Sequence, residues 1–152
     1  MDEIKKAAST LGKIGGKSRS PKKVSASRKN AKKATAARKE NGKVKKADAI
    51  IRDIVMARDR RCVICGSPDN LQWSHLITRR KYSVRWDTRN SCMMCARCHF
   101  RHHRQGPEEY VSWFMRTYGA EEYQSLVQRA NRPLSSAERK ELIEYIAGGG
   151  EL

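Results

Sequence analysis

Four cysteines fall in two Cys-x-x-Cys pairs, Cys62/Cys65 and Cys95/Cys98. Two such pairs brought together offer four thiolates at the corners of a tetrahedron, the donor set of a structural Zn²⁺ site that is closed to substrate. Unligated buried cysteines are the weaker account, because two such pairs rarely arise by chance in a short basic chain. A redox pair would need βαβ surroundings that neither pair has. Cys92 is left over and reads as a small buried residue; it becomes a ligand only if the second pair slips to Cys92/Cys95. His99 follows the last cysteine directly and His103 sits four residues on. On a helix these two share a face and can grip one metal ion. His102 could take the place of His103, and His99 could instead complete a Cys3His site. The 29 residues between Cys65 and Cys95 exceed what a simple zinc ribbon needs, and they hold His75 and Asn90.

The elements that must position these groups are short. Ile50, Ile51, Ile54 and Val55 repeat at helical spacing, with Asp48 as N-cap, so order is expected to begin near residue 48. Gly66 suits the tight turn of a Cys62–Cys65 knuckle. Leu71 to Ile77 reads as a strand, and the alternation of Tyr82, Val84 and Trp86 suggests a second. Cys95 to Arg104 reads as a helix ended by Gly106-Pro107. Tyr110, Val111, Trp113, Phe114 and Tyr118 give the next helix its apolar side, and Gly119 stops it. Glu121 to Ala130 forms another helix, and Ser135 with Glu138 resembles a capping box that starts the last. The aromatic residues of this small domain are expected in its core.

Charge divides the chain unevenly. It carries 33 Lys+Arg against 16 Asp+Glu, a net of +17. Residues 1–46 hold 16 of those cations and 3 of the acids, a net of +13. Such a balance draws a protein to polyanions. Residues 1–46 contain no large apolar cluster. They read as a largely disordered or marginally helical nucleic-acid-binding tail, broken at Asn41-Gly42. Its contacts would include Lys22, Lys23, Arg28, Lys29, Lys32 and Lys33, which would track a phosphate backbone without reading bases. Five further cations, Arg79, Arg80, Lys81, Arg85 and Arg89, lie between His75 and Asn90 and are candidates for phosphate contact. No stretch is apolar and long enough to span a membrane, and the Met-Asp-Glu start is not a signal peptide. The expectation is a cytoplasmic protein whose cysteines bind metal rather than form disulfides.

The order Trp73-Ser74-His75, then Asn90-x4-Cys95-x2-Cys98-His99-x3-His103, resembles the HNH nucleases of the ββα-metal class. The resemblance covers roughly residues 60–105. It implies an α+β fold: a zinc-stabilised ββα-metal core over 47–106, C-terminal helices over 107–152, and the basic tail ahead of both. It also implies roles. His75 is the general base that activates water, Asn90 fixes the loop that holds it, and His99 and His103 bind one catalytic divalent ion (Mg²⁺, Mn²⁺, Ni²⁺ or Zn²⁺). A looser similarity, through Arg79, Ser83, Arg85-Trp86-Asp87, Asn90, Tyr110 and Tyr118-Gly119, is to the NinG/Rap recombination nucleases of lambdoid phages. That similarity implies a DNA endonuclease acting on double-stranded or branched DNA in the cytoplasm of a bacterial host. One position departs from the pattern. Many HNH proteins carry Asp or His before the first histidine, whereas this chain has Ser74, a weak ligand, with Asp87 as a candidate substitute. That departure keeps a second reading open, a non-catalytic zinc module that binds nucleic acid. The helices after residue 107 could supply a homodimer face.

Overall fold

The computed structural model describes residues 4–6, 9–10 and 20–150, and the chain divides into two compact units, Met1–Glu40 and Asn41–Leu152. The glycines at 12, 15 and 16 lie outside the described residues. Helix α1 spans Pro21–Arg58. Pro21 suits a helix start, where its missing N–H would have had no partner. Ala26, Ala31, Ala34, Ala36 and Ala37 favour the helix that follows. No side chain between residues 21 and 40 is buried. Residues 21–46 are helical, and the break expected at Asn41-Gly42 is corrected, because the helix runs on through both residues.

In the second unit, Val44, Ala47, Ile51 and Val55 of α1 are buried, three or four residues apart and so on one stripe. They pack with Trp86, Met93, Ile143 and Ile146. Order therefore starts earlier than Asp48. That residue is no N-cap: its carboxylate accepts from Arg85 Nε (2.9 Å) and Nη2 (2.6 Å) and from Trp86 Nε1 (2.8 Å).

Strand β1, Leu71–His75, pairs antiparallel with β2, Ser91–Cys95, in a register that sets Leu71 opposite Cys95 and His75 opposite Ser91. The alternating segment expected as the second strand is instead a single helical turn, α2, Tyr82–Arg85. A 3-10 turn over Thr88–Asn90 leads from it into β2. Every residue of β2 is buried. Met93 faces the α1 side, while Cys92 and Met94 face the cysteine cluster and Tyr110, as the two-residue period of a strand requires. Helix α3, Ala96–Gln105, follows β2 directly, so the chain runs strand, strand, helix through this region. Helices α4 (Glu108–Tyr118), α5 (Ala120–Asn131) and α6 (Ser136–Ala147) complete the unit. Phe114, Leu126 and Ala130 bury Val84 of α2 between α4 and α5. The capping box at the start of α6 is present: Glu138 N donates to Ser135 Oγ (3.2 Å), and Ser135 N to Glu138 Oε2 (2.9 Å). No helix among the described residues is long and apolar enough to cross a membrane.

Candidate metal centre and histidine cleft

Two chain segments deliver the cysteines. Gly66 takes a positive φ of 75° that a side chain would resist, and its N–H closes the first knuckle on Cys62 O at 2.8 Å. Val63 N donates to Met93 O at 3.1 Å, which docks this knuckle on β2. Cys95 ends β2 and Cys98 lies one turn into α3. The four sulfurs lie within 4.8 Å of one another, and Cys65 Sγ is 3.6 Å from Cys95 Sγ. A tetrahedron with metal–sulfur bonds of about 2.3 Å separates its sulfurs by roughly 3.8 Å, so the set fits Zn²⁺. Hydrogen bonding from the Ser67 backbone and the neighbouring thiols brings Cys65 down to about 6, while burial pushes Cys98 up to about 12. Thiols this close resist ionising together without a cation among them. The four cysteines can therefore hold a structural zinc. Cys92 is buried outside this set, and burial raises its thiol far above the ordinary range.

A cleft of about 480 Å³ gathers His75, His99, His102 and His103 with Arg79 and Arg80. His75 is 9% exposed, and its Nε2 has no hydrogen-bond partner in the protein. Burial, with Arg79 nearby, brings its imidazole down to about 3, so the ring is neutral at pH 7. Trp73 packs edge-on to it, centroids 4.2 Å apart, and Trp73 Nε1 likewise lacks a protein partner.

Asn90 lies 13 residues from the loop it braces. Its side-chain oxygen accepts from Ile77 N (2.8 Å), and its nitrogen donates to Ile77 O (3.0 Å) and Val84 O (2.9 Å). Its own carbonyl accepts from Leu76 N (2.9 Å) and from Tyr110 Oη (3.3 Å). The chain leaving His75 is thereby fixed at two successive residues.

His99 and His103 approach Nε2 to Nε2 at 3.0 Å. His99 Nδ1 lies 2.6 Å from Gln72 Oε1. An amide oxygen only accepts, so Nδ1 carries the proton and the lone pair on Nε2 turns toward His103. Two nitrogens each about 2.1 Å from one ion and roughly 3 Å apart subtend an angle near 90°, so the pair fits a shared cation. An imidazole ligand usually donates its other nitrogen to an acceptor, the part Gln72 plays here. Burial and the neighbouring rings keep His99 and His102 below the ordinary histidine range. His102 is placed differently: its Nε2 donates to His75 O at 3.3 Å, and its Nδ1 is buried without a partner.

Other sequence candidates have other positions. Ser74 is buried on β1, does not line the cleft, and its hydroxyl has no partner. Asp87 is fully buried and holds Arg89 and Arg129, at 2.6 Å for Arg129, rather than reaching the cleft as a ligand. Arg85 is committed to Asp48, and Arg89 to Asp87 and Glu122. Arg85 ends α2 against partly buried Asp48, and Arg89 lies in the 3-10 turn against fully buried Asp87, so both charges are matched within the fold. Arg79 and Arg80 line the histidine cleft, and Lys81 lies just beyond it. Lys22, Lys23, Arg28, Lys29, Lys32 and Lys33 are exposed on α1. Gln72 was not legible as a site residue; its only signal is a polar position on β1 between Leu71 and Trp73. Comparison with protein-family models, with curated proteins and with solved structures finds no match for this chain.

Proposed function

We propose that this protein is a metal-dependent endonuclease of the HNH type that hydrolyses phosphodiester bonds in DNA. The observation that carries the reading is the convergence of His75, His99 and His103 on one cleft with Arg79 and Arg80 at its wall. His75 offers a neutral nitrogen with no protein partner, the form that accepts a proton from water. Burial is the larger cause of its lowered value, and an entering phosphodiester offsets the smaller part that comes from Arg79. Asn90 holds the backbone just after His75, which keeps the ring aimed into the cleft. Arg79 and Arg80 place cations against the phosphate oxygens. His99 and His103 would hold a divalent ion, which when bound neutralises the phosphoryl and leaving oxygens. The four cysteines would serve only to join the first knuckle to β2 and α3.

The expected outcome is cleavage of at least one member of a panel of duplex, single-stranded and branched DNA with Mg²⁺, Mn²⁺, Ni²⁺ or Zn²⁺. One observation favours a second reading, a zinc module that binds nucleic acid without cutting it: Ser74 stays out of the cleft, leaving His99 and His103 as the paired metal donors there. Metal analysis separates the two. The nuclease binds zinc plus an exchangeable ion that His99→Ala/His103→Ala removes, whereas the passive module binds zinc alone and cuts nothing.

A further inference from the structure

A second groove, of about 550 Å³, adjoins the histidine cleft within the same unit. Its lining includes Arg80 and Lys81 ahead of α2, Arg132 just past α5, and Arg139 on α6, and no carboxylate. Arg80 lines both grooves, so the two meet at that side chain. The guanidinium of Arg139 lies 5.2 Å from the centre of the Tyr82 ring, which in turn packs edge-on to buried Trp86. Stacking on an anchored ring fixes the position of that cation.

The contrast with nearby arginines is informative. Arg85, Arg89 and Arg129 are each matched by a carboxylate of the fold, namely Asp48, Asp87 or Glu122. Arg80 and Lys81 have no ion-pair partner among the described residues, and Arg132 meets Glu138 from outside the groove lining. Arg80 and Lys81, adjacent in the chain and without a counter-charge among the described residues, repel one another, and a bound polyanion relieves that repulsion. A lone phosphate would satisfy one groove. Two grooves joined through Arg80 fit a ligand carrying several phosphates in a row.

We infer that this second groove binds the sugar-phosphate backbone of a polynucleotide a few nucleotides to one side of the histidine cleft, so that it positions the strand that is cut. The inference rests on the nuclease reading for its direction toward the cleft, and on charge and geometry for the groove itself. Contact through backbone cations predicts little base preference.

The test measures binding of the full chain to a labelled strand of about 20 nucleotides and to the matching duplex, over a salt series without added divalent ion. Lys81→Ala/Arg132→Ala is compared with a control that removes the same charge elsewhere, Arg116→Ala/Lys140→Ala, neither residue lining either groove. The groove variant is expected to bind about tenfold more weakly and to lose roughly 1.5–2 from the slope of log K against log salt, as two phosphate contacts require. Lys81→Arg/Arg132→Lys should restore both quantities. Equal affinity and slope in groove variant and control would overturn the inference. A measurement on the unmutated chain covers the case of a variant that fails to fold: saturating DNA should suppress acylation of Lys81, and unchanged reactivity overturns the inference equally. The two failures are distinct. A protein that cuts DNA with an unchanged salt slope in the groove variant loses the groove alone. A protein that never cuts, yet loses slope and shields Lys81, keeps the groove and loses the nuclease reading.

Discussion

Asn90 makes three hydrogen bonds through a single buried amide, two to the backbone of Ile77 and one to the backbone of Val84 in α2. Alanine at this position leaves Ile77 N, Ile77 O and Val84 O without that partner. We expect Asn90→Ala to cost about 2–4 kcal/mol of stability in denaturant titration, since each stranded buried group costs about 1–3 kcal/mol and water recovers part. Cleavage should fall with it if His75 is the base, because the backbone that follows His75 loses its support. Asp87 behaves as a structural residue. Burial alone would raise its carboxyl, but hydrogen bonds from Arg89 and Arg129 outweigh burial and hold it below the ordinary carboxylate value. A carboxyl lowered in the folded state contributes stability that is fully present above its unfolded value of about 4 and is lost as pH falls through the folded value. Acid unfolding of the wild type should therefore steepen below about pH 4. Asp87→Asn should remove that component and cost about 1–3 kcal/mol at neutral pH, less than a fully buried pair because both arginines are partly exposed. An unchanged acid limb in the Asn variant would contradict this assignment. Cys65→Ser removes one of four sulfurs; it should lower zinc content below one ion per chain by elemental analysis and lower Tm.

At the scale of elements, the legible parts were those with a local signature. The Cys-x-x-Cys pairs, the helix carrying His99 and His103, and the Ser135–Glu138 capping box all follow from spacing within a few residues. Strand β2 was not legible. Its sequence, Ser-Cys-Met-Met-Cys, is buried on both faces, so no alternation marks it. The alternation of Tyr82, Val84 and Trp86 pointed to a strand that does not form. There, Asp48 takes the side chains of both Arg85 and Trp86, and a helical turn lets two consecutive residues reach one carboxylate. The start of the ordered core was also hidden, because Val44 and Ala47 are small and sit among lysines, yet both are buried. Their burial depends on α6, which lies about a hundred residues away in the chain. The position of Arg85 and Arg89 was illegible for the same reason: a cation in a basic loop looks like a phosphate contact until its carboxylate partner is known.

For the whole molecule, the proposed function assigns holding of nucleic acid to the first unit and cutting to the second. Residues 21–40 of the first unit are helical, basic and without buried side chains. Deleting residues 1–40, rather than 1–46, removes most of this charge while sparing Val44. We expect the shortened protein to keep its Tm, to bind DNA more weakly with a shallower salt dependence, and to retain cleavage at high substrate. Loss of cleavage at saturation would show that the arm does more than hold. Among the described residues, one cleft brings together an imidazole whose Nε2 has no protein partner, a histidine pair and two arginines. The most direct test of their proposed joint role is single-turnover cleavage of DNA, at saturating protein and divalent ion, by His75→Ala beside the wild type, with Tm and zinc content of both recorded. If His75 is the base, the variant keeps its fold and zinc and cuts at least about a hundredfold more slowly; a variant that cuts at the wild-type rate would contradict the assignment of this cleft as the place of catalysis.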